Sequence, residues 1–110
     1  MVDYTKIQLN DGGWIPTIAF GTGTTYSNRP DEATEGIVNA LRVGYKSIDT
    51  AVVYNTESSV GKALAKIKEE HNFKREDVFI TTKIPPSFNS LQEVRFNYFK
   101  FLLQIKCLGG

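Results

Sequence analysis

Ser47-Ile48-Asp49-Thr50-Ala51-Val52-Val53-Tyr54 has the pattern of a strand that stops in a polar residue and then turns. Ile48 is β-branched and apolar, which suits a buried strand. Asp49 follows at once, and a carboxylate next to a core is costly unless a partner or ligand compensates it. Tyr54 comes five residues later, at the entrance to a helical pattern. A carboxylate at a strand end and a phenol on the following loop lie where α/β folds place their chemistry. Lys83 closes a second β-like run, Val78-Phe79-Ile80-Thr81-Thr82. Asp49, Tyr54 and Lys83 are thus expected to meet past the ends of neighbouring strands.

Working towards the N-terminus, Gly44 supplies a left-handed stop for a helix that Asn28-Arg29-Pro30-Asp31-Glu32 opens. Pro suits the first turn and the acidic pair suits the positive end of the helix dipole. Ile37, Ala40 and Leu41 recur at helical spacing between them, and Gly36 is either a mild cost or a close-packing site. Before that helix, Gly21-Thr22-Gly23-Thr24-Thr25 forms a loop whose glycines admit a close ligand and whose threonines offer hydroxyls. It is neither a Walker motif nor G-x-G-x-x-G, since position 26 is Tyr. Asn10-Asp11-Gly12-Gly13 predicts a hairpin over residues 6–15, with Pro16 at an edge or break and a separate strand over 17–20.

Towards the C-terminus, Asn55-Thr56-Glu57 opens a second helix with apolar positions Val60, Ala63, Leu64 and Ile67. Its lysines and glutamates read as solvated surface. His71, with no second His or Cys nearby, reads as a surface histidine and not a metal ligand. Lys74-Arg75-Glu76-Asp77 is a polar loop, and Pro85-Pro86 ends the following strand. Leu91 to Leu108 is a long apolar segment, read as a helix over 90–107 that wants cover on more than one side. Strands alternating with helices imply right-handed βαβ units and a parallel sheet.

The chain has 110 residues, with 13 basic and 12 acidic side chains and no basic stripe. That argues against nucleic acid or an anionic membrane as partner. Cys107 is the single cysteine, so no intrachain disulfide forms, which fits a reducing compartment. No apolar run approaches the ~20 residues of a membrane span, and the first residues lack a signal-peptide pattern. The expectation is a cytoplasmic protein.

Singly, each polar residue has an ordinary explanation: Asp49 as a structural carboxylate, Tyr54 as a packing aromatic, Lys83 as a surface lysine. Together their chemistry is coherent. A phenol has a reference pKa of about 10, and a nearby ammonium lowers it by stabilising phenolate. A carboxylate behind the lysine holds that ammonium in place. Such a tyrosine can hand a proton to a carbonyl oxygen while hydride reaches the carbon, and the hydride must come from a cofactor.

An ordered set of motifs carries a family resemblance: Leu9-Asn10-Asp11-Gly12, Ile15-Pro16, Phe20-Gly21-Thr22, Gly44-Tyr45, Ile48-Asp49-Thr50-Ala51, Val53-Tyr54, Glu57, Val60-Gly61, Lys74-Arg75-Glu76-Asp77 and Thr82-Lys83. They resemble the aldo-keto reductase superfamily, densely over residues 7–84. The Gly21-Thr22-Gly23-Thr24 run resembles a fungal branch that includes 2-ketoamide reductases. The resemblance implies a (β/α)8 TIM barrel, here partial: an N-terminal β-hairpin and the first three βα units, one incomplete domain over 1–110 that stops before the fourth strand. It implies NADPH, or NADH, as cofactor and a small-molecule aldehyde or ketone as substrate. Tyr54 would be the proton donor, Lys83 would tune it and Asp49 would anchor Lys83. Thr22, Gly23 and Asp49 would sit beside the nicotinamide.

Two positions depart from the pattern: Gly23 and Pro85 stand where the family often carries aromatic walls of the substrate pocket. The family's catalytic histidine ends the next strand, which the 110 residues do not reach. A parent enzyme is expected to be a monomer or weak dimer, and the chain alone is expected to be inactive. The alternatives are a non-catalytic module that binds cofactor or a partner, and a non-functional truncated product.

Overall fold

In the computed structural model, residues 5–70, 72–85 and 90–96 are described. The chain begins with a hairpin, β1 (Lys6–Gln8) against β2 (Trp14–Pro16), in register Ile7 to Ile15. Its turn is held by the Leu9 N–H on the Gly13 carbonyl at 2.7 Å and by the Gly13 N–H on the Asp11 carboxylate at 2.8 Å. Pro16 is the last residue of β2, where its missing N–H costs no ladder bond.

The strand expected over 17–20 is shorter and shifted: β3 is only Phe20–Gly21. The reason is competition for Thr17, whose N–H bonds the Thr5 carbonyl at 3.0 Å and so prolongs the hairpin instead. Helix α1 (Pro30–Arg42) starts with Pro in its first turn and Asp31 and Glu32 beside it. It ends on Gly44, with φ of +107°. The Tyr45 N–H reaches the Ala40 carbonyl at 3.0 Å and the Gly44 N–H reaches Leu41 at 3.2 Å, the paired bonds of a Schellman stop. Because Tyr45 is spent on that cap, strand β4 begins two residues later, at Ser47–Asp49.

A 3-10 turn at Val52–Tyr54 follows, closed by Asn55 in the left-handed region at φ +56°. Helix α2 (Glu57–Glu70) buries the predicted Val60, Ala63, Leu64 and Ile67. The polar loop forms a second 3-10 turn at Arg75–Asp77, and strand β5 runs over Phe79–Thr81. Residues 91–96 are helical, and the rest of the helix expected over 90–107 lies outside the described residues, as do His71, Pro86 and Cys107.

β3, β4 and β5 form one parallel sheet in that order. In register, Phe20, Ile48 and Ile80 form one cross-strand row. All three join the cluster of Ile37, Val38, Val60, Ala63, Leu64, Ile67 and Val78, so this row faces the two helices. Arg42 and Glu70, the last residues of α1 and α2, pair and tie the helix ends together. Gly36 is a close-packing site: a Cβ there would lie 2.7 Å from the Tyr26 hydroxyl oxygen. Tyr26 rests on that notch and faces Phe20 with ring centroids 6.0 Å apart.

The Schellman stop gives a direct test. Gly44→Ala places a Cβ on a left-handed backbone and should destabilise the chain by about 1–2 kcal/mol. A urea midpoint unchanged in Gly44→Ala would show that the cap does not terminate α1 as described.

Candidate functional site

The pleat sorts the residues past the strand ends into two sets. Gly21, Asp49 and Thr81 stand side by side in register, one row beyond the helix-facing row. Successive residues of a strand point to opposite faces, so this row points away from the helices. The ladder continues past the strands: the Thr50 N–H bonds the Thr81 carbonyl at 2.8 Å, and the Val52 N–H bonds the Lys83 carbonyl at 3.2 Å. Lys83, two residues after Thr81, therefore returns to the face that carries Asp49. Thr22, Thr50 and Thr82, one residue on from the row, return to the helix side.

On the open face the Lys83 ammonium donates to Asp49 Oδ1 at 2.7 Å and to the Thr50 carbonyl at 3.0 Å. The same ammonium lies 5.1 Å from the centroid of the Tyr54 ring, over its face. The side chains of Lys83 and Asp49 are 45% and 36% exposed, so a reactant can reach the pair. Gly23 lies under Tyr54: a Cβ built on it would come 3.3 Å from the ring's Cζ. Among the described residues, no atom beyond its own chain neighbours stands within 4 Å of a Cβ built on Gly21, so the backbone there leaves room beside Asp49. The structure thus brings Asp49, Tyr54, Lys83 and Gly23 together.

Thr22 is different. It is fully buried, and its hydroxyl donates to the Asp49 carbonyl at 2.9 Å. Its side chain belongs to the helix side and not to the open face beside Asp49. It meets the Thr56 hydroxyl at 2.8 Å, and Thr56 meets the Thr50 hydroxyl at 2.8 Å. A hydroxyl has one proton, which fixes the direction of this chain. Thr22 spends its proton on the Asp49 carbonyl, so Thr56 must donate to Thr22, and Thr50 must donate to Thr56. Thr82 completes the row by donating to Glu57 Oε1 at 2.6 Å. Glu57 is only 8% exposed and stands at the first position of α2, where the helix dipole favours a carboxylate.

Thr50, Thr56, Glu57 and Thr82 have no site role in the sequence reading. The available signal was a threonine one place after each strand end, at Gly21-Thr22, Asp49-Thr50 and Thr81-Thr82. Its meaning depends on α2 beginning opposite all three strands.

Residues 17–100 match the Aldo/keto reductase family. Aldose reductase C of Dictyostelium discoideum is 47% identical over 79 residues, which are 72% of this chain and 24% of that protein. Aldo-keto reductase AKR2E4 of Bombyx mori is 42% identical over 81 residues, 71% of this chain and 26% of that protein. The crystal structure of the Bombyx mori enzyme in complex with NADP matches with a TM-score of 0.81 at 34% identity, over 96% of this chain and 35% of its own. The chain thus spans about a quarter to a third of the length of these relatives. The solved relatives are (β/α)8 barrels, and this chain has the fold of part of one: a hairpin and three parallel strands with their helices, with no closed barrel among the described residues.

The direction of the threonine chain predicts unequal costs for equal deletions. Thr56→Val strands the Thr50 proton in a buried site and removes the donor to Thr22, so it should cost about 1–3 kcal/mol. Thr50→Val removes the first donor and leaves only an acceptor without its partner, so its cost should be smaller. Chemical denaturation of the two variants checks the order, and a larger loss for Thr50→Val would reverse the assigned direction.

Proposed function

The chain belongs to the aldo/keto reductase family, and on that footing we propose that it carries the proton-donating part of an NAD(P)H-dependent carbonyl reductase. Tyr54 is the proton donor, Lys83 the cation that assists it and Asp49 the anchor of Lys83. The observation that supports this most is the Lys83 ammonium, bonded to Asp49 at 2.7 Å and lying against the Tyr54 ring on an open face. A purely structural ion pair has no need of a half-buried phenol beside it.

The residues present suit the nicotinamide end of the cofactor. The backbone at Gly21 is open, Gly23 has no side chain, and Asp49 stands beside both. Related enzymes reduce carbonyls, and the Bombyx mori relative was solved in complex with NADP. When bound, the reduced nicotinamide supplies a hydride. NADPH is the proposed form, with NADH as the alternative.

The substrate is a small aldehyde or ketone. Its carbonyl oxygen accepts a hydrogen bond from the Tyr54 hydroxyl. As the carbonyl carbon gains hydride, negative charge grows on the oxygen and the Tyr54 proton moves onto it, giving the alcohol. Charge left on the phenolic oxygen is met by the Lys83 ammonium, and solvent returns the proton afterwards. Asp49 does no proton transfer here. It holds Lys83 at the ring, with the Thr50 carbonyl as the second acceptor. Thr22 contributes from beneath: its N–H and hydroxyl both bond the Asp49 carbonyl, so it fixes the backbone that aims Asp49.

In the intact reductase that carries this segment, Tyr54→Phe should lower turnover by about 10²–10⁴-fold. Cofactor affinity should stay nearly unchanged, because the hydroxyl acts chiefly in the transition state. Steady-state kinetics with a reactive aldehyde and a fluorescence titration with NADPH measure the two quantities. Full carbonyl reduction by Tyr54→Phe would remove the tyrosine from the chemistry.

A further inference from the structure

Lys83 stands where the sheet lets go of its chain. β5 ends at Thr81. Past that point the ladder loosens: the Thr50 N–H bonds the Thr81 carbonyl at 2.8 Å, and the Val52 N–H bonds the Lys83 carbonyl at 3.2 Å. The chain then leaves the sheet, with Ile84 48% exposed and Pro85 lacking an N–H to offer a neighbouring strand. A long, flexible lysine on such a loosening end meets one carboxylate and one ring only if its backbone is held. The hold lies on the opposite side of the chain. Thr82 donates its hydroxyl to Glu57 Oε1 at 2.6 Å, the length of a bond to a charged acceptor. Glu57 is 8% exposed and is the first residue of α2, whose Val60 and Leu64 are completely buried. The acceptor is therefore fixed to the core and does not follow the strand end.

We propose that Glu57 and Thr82 are positioning residues for Lys83: Glu57 takes the Thr82 hydroxyl on the helix side and so commits the next residue to the open face. Neighbouring residues of an extended chain point opposite ways, so whatever fixes residue 82 also fixes residue 83. Thr82 is β-branched and has few rotamers, so a bond to its hydroxyl restrains the backbone and not only the side chain. Lys83 is thus held at both ends. Asp49 Oδ1 and the Thr50 carbonyl take its ammonium at 2.7 and 3.0 Å. The Val52 N–H along the sheet and Glu57 across it hold its backbone. Without the Glu57 bond, residues 82 and 83 can twist about the long ladder bond. The ammonium, whose side chain is already 45% exposed, then swings from the Tyr54 ring towards solvent. Neither Glu57 nor Thr82 touches a reactant; both act through Lys83.

The consequence for turnover rests on the proposed reading of Tyr54 as proton donor, but the geometry can be tested without substrate or cofactor. The 110-residue chain is labelled with 13C-tyrosine and 13C,15N-lysine, and nuclear Overhauser effects are read between the Tyr54 ring and the Lys83 side chain. The Ile48 and Leu64 methyl signals report the core. Thr82→Val keeps the shape and loses the hydroxyl; it should weaken the Tyr54–Lys83 effect by about twofold or more while the core signals persist. Thr82→Ser loses the methyl group and keeps the hydroxyl; it should retain the effect. A packing role for Thr82 requires the reverse order. Glu57→Leu should act like Thr82→Val, and Glu57→Gln, which keeps an acceptor oxygen, should act like Thr82→Ser. The Glu57→Leu, Thr82→Val double variant should be no worse than either single one, because each removes the same bond. An unchanged effect in Thr82→Val would overturn the proposal, as would a loss in Thr82→Ser as large as in Thr82→Val, or no Tyr54–Lys83 effect in the unaltered chain. If Glu57→Leu does not fold, the two Thr82 variants carry the test alone. A Thr82→Val chain that does not fold also overturns the proposal, because the bond then holds the fold and does not aim a lysine. Lost turnover in Tyr54→Phe of the intact reductase, with no response in the Thr82 variants, would refute the positioning alone. The opposite pair of results would refute the proton-donor reading alone.

Discussion

A slip of one residue between β4 and β5 would send Lys83 to the helix side and bring Thr82 to the open face, because side chains alternate along a strand. Asp49 would then face a hydroxyl, and a lysine would be driven towards Thr56 and Glu57 at the start of α2. The register of Ile48 with Phe20 on one side and Ile80 on the other forbids this. Slipping either neighbour would pull an apolar residue out of the cluster that includes Ile37, Leu64 and Ile67. The burial that stabilises the sheet and the alternation that exposes Asp49 with Lys83 are one constraint.

The ion pair itself is a poor candidate for what holds the fold. Lys83 and Asp49 are both more than a third exposed, and pairs of that kind contribute at most about 1 kcal/mol. Completely buried Ile48, Val60 and Leu64 each contribute more than that through removal of apolar surface from water. The energetic order runs from core to site: packing sets the register, the register sets the faces, and the faces bring a carboxylate, an ammonium and a phenol together. A pair held by its surroundings can remain open to a reactant, which a pair responsible for stability could not.

Much of this was legible in the residues. Asp11-Gly12 announced the hairpin, Pro30 and Gly44 bracketed α1, and the spacing of Val60, Ala63, Leu64 and Ile67 marked the buried side of α2. Asp49, Tyr54 and Lys83 were legible because each follows an apolar run whose length limits where it can end. Strand lengths were not legible, since an N–H such as that of Thr17 can join either of two sheets and only the tertiary arrangement selects Thr5. The inward turn of Thr22 was hidden for a similar reason. A threonine after a strand can face ligand or helix, and the pleat settles it only once the register is known. The close approach of the Tyr54 ring to Gly23 joins residues far apart in the chain, for which no local pattern exists.

The start of α2 then has a role that its sequence alone would not suggest. Thr56 touches the threonines that follow β3 and β4, and Glu57 touches the one that follows β5. One helical turn thereby holds the polar ends of three strands, each through the residue next to a member of the open face or, at β4, next to Asp49 itself. The threonine hydroxyls have short, stiff reach, since a β-branched side chain has few rotamers. Spacing between the strand ends is therefore transmitted to α2 with little slack. The Asp49 carbonyl shows the effect most clearly, as it accepts both the N–H and the hydroxyl of Thr22 and so has no freedom to rotate. The carboxylate on the opposite side of the same residue inherits that rigidity, and with it the 2.7 Å bond that keeps Lys83 at the ring.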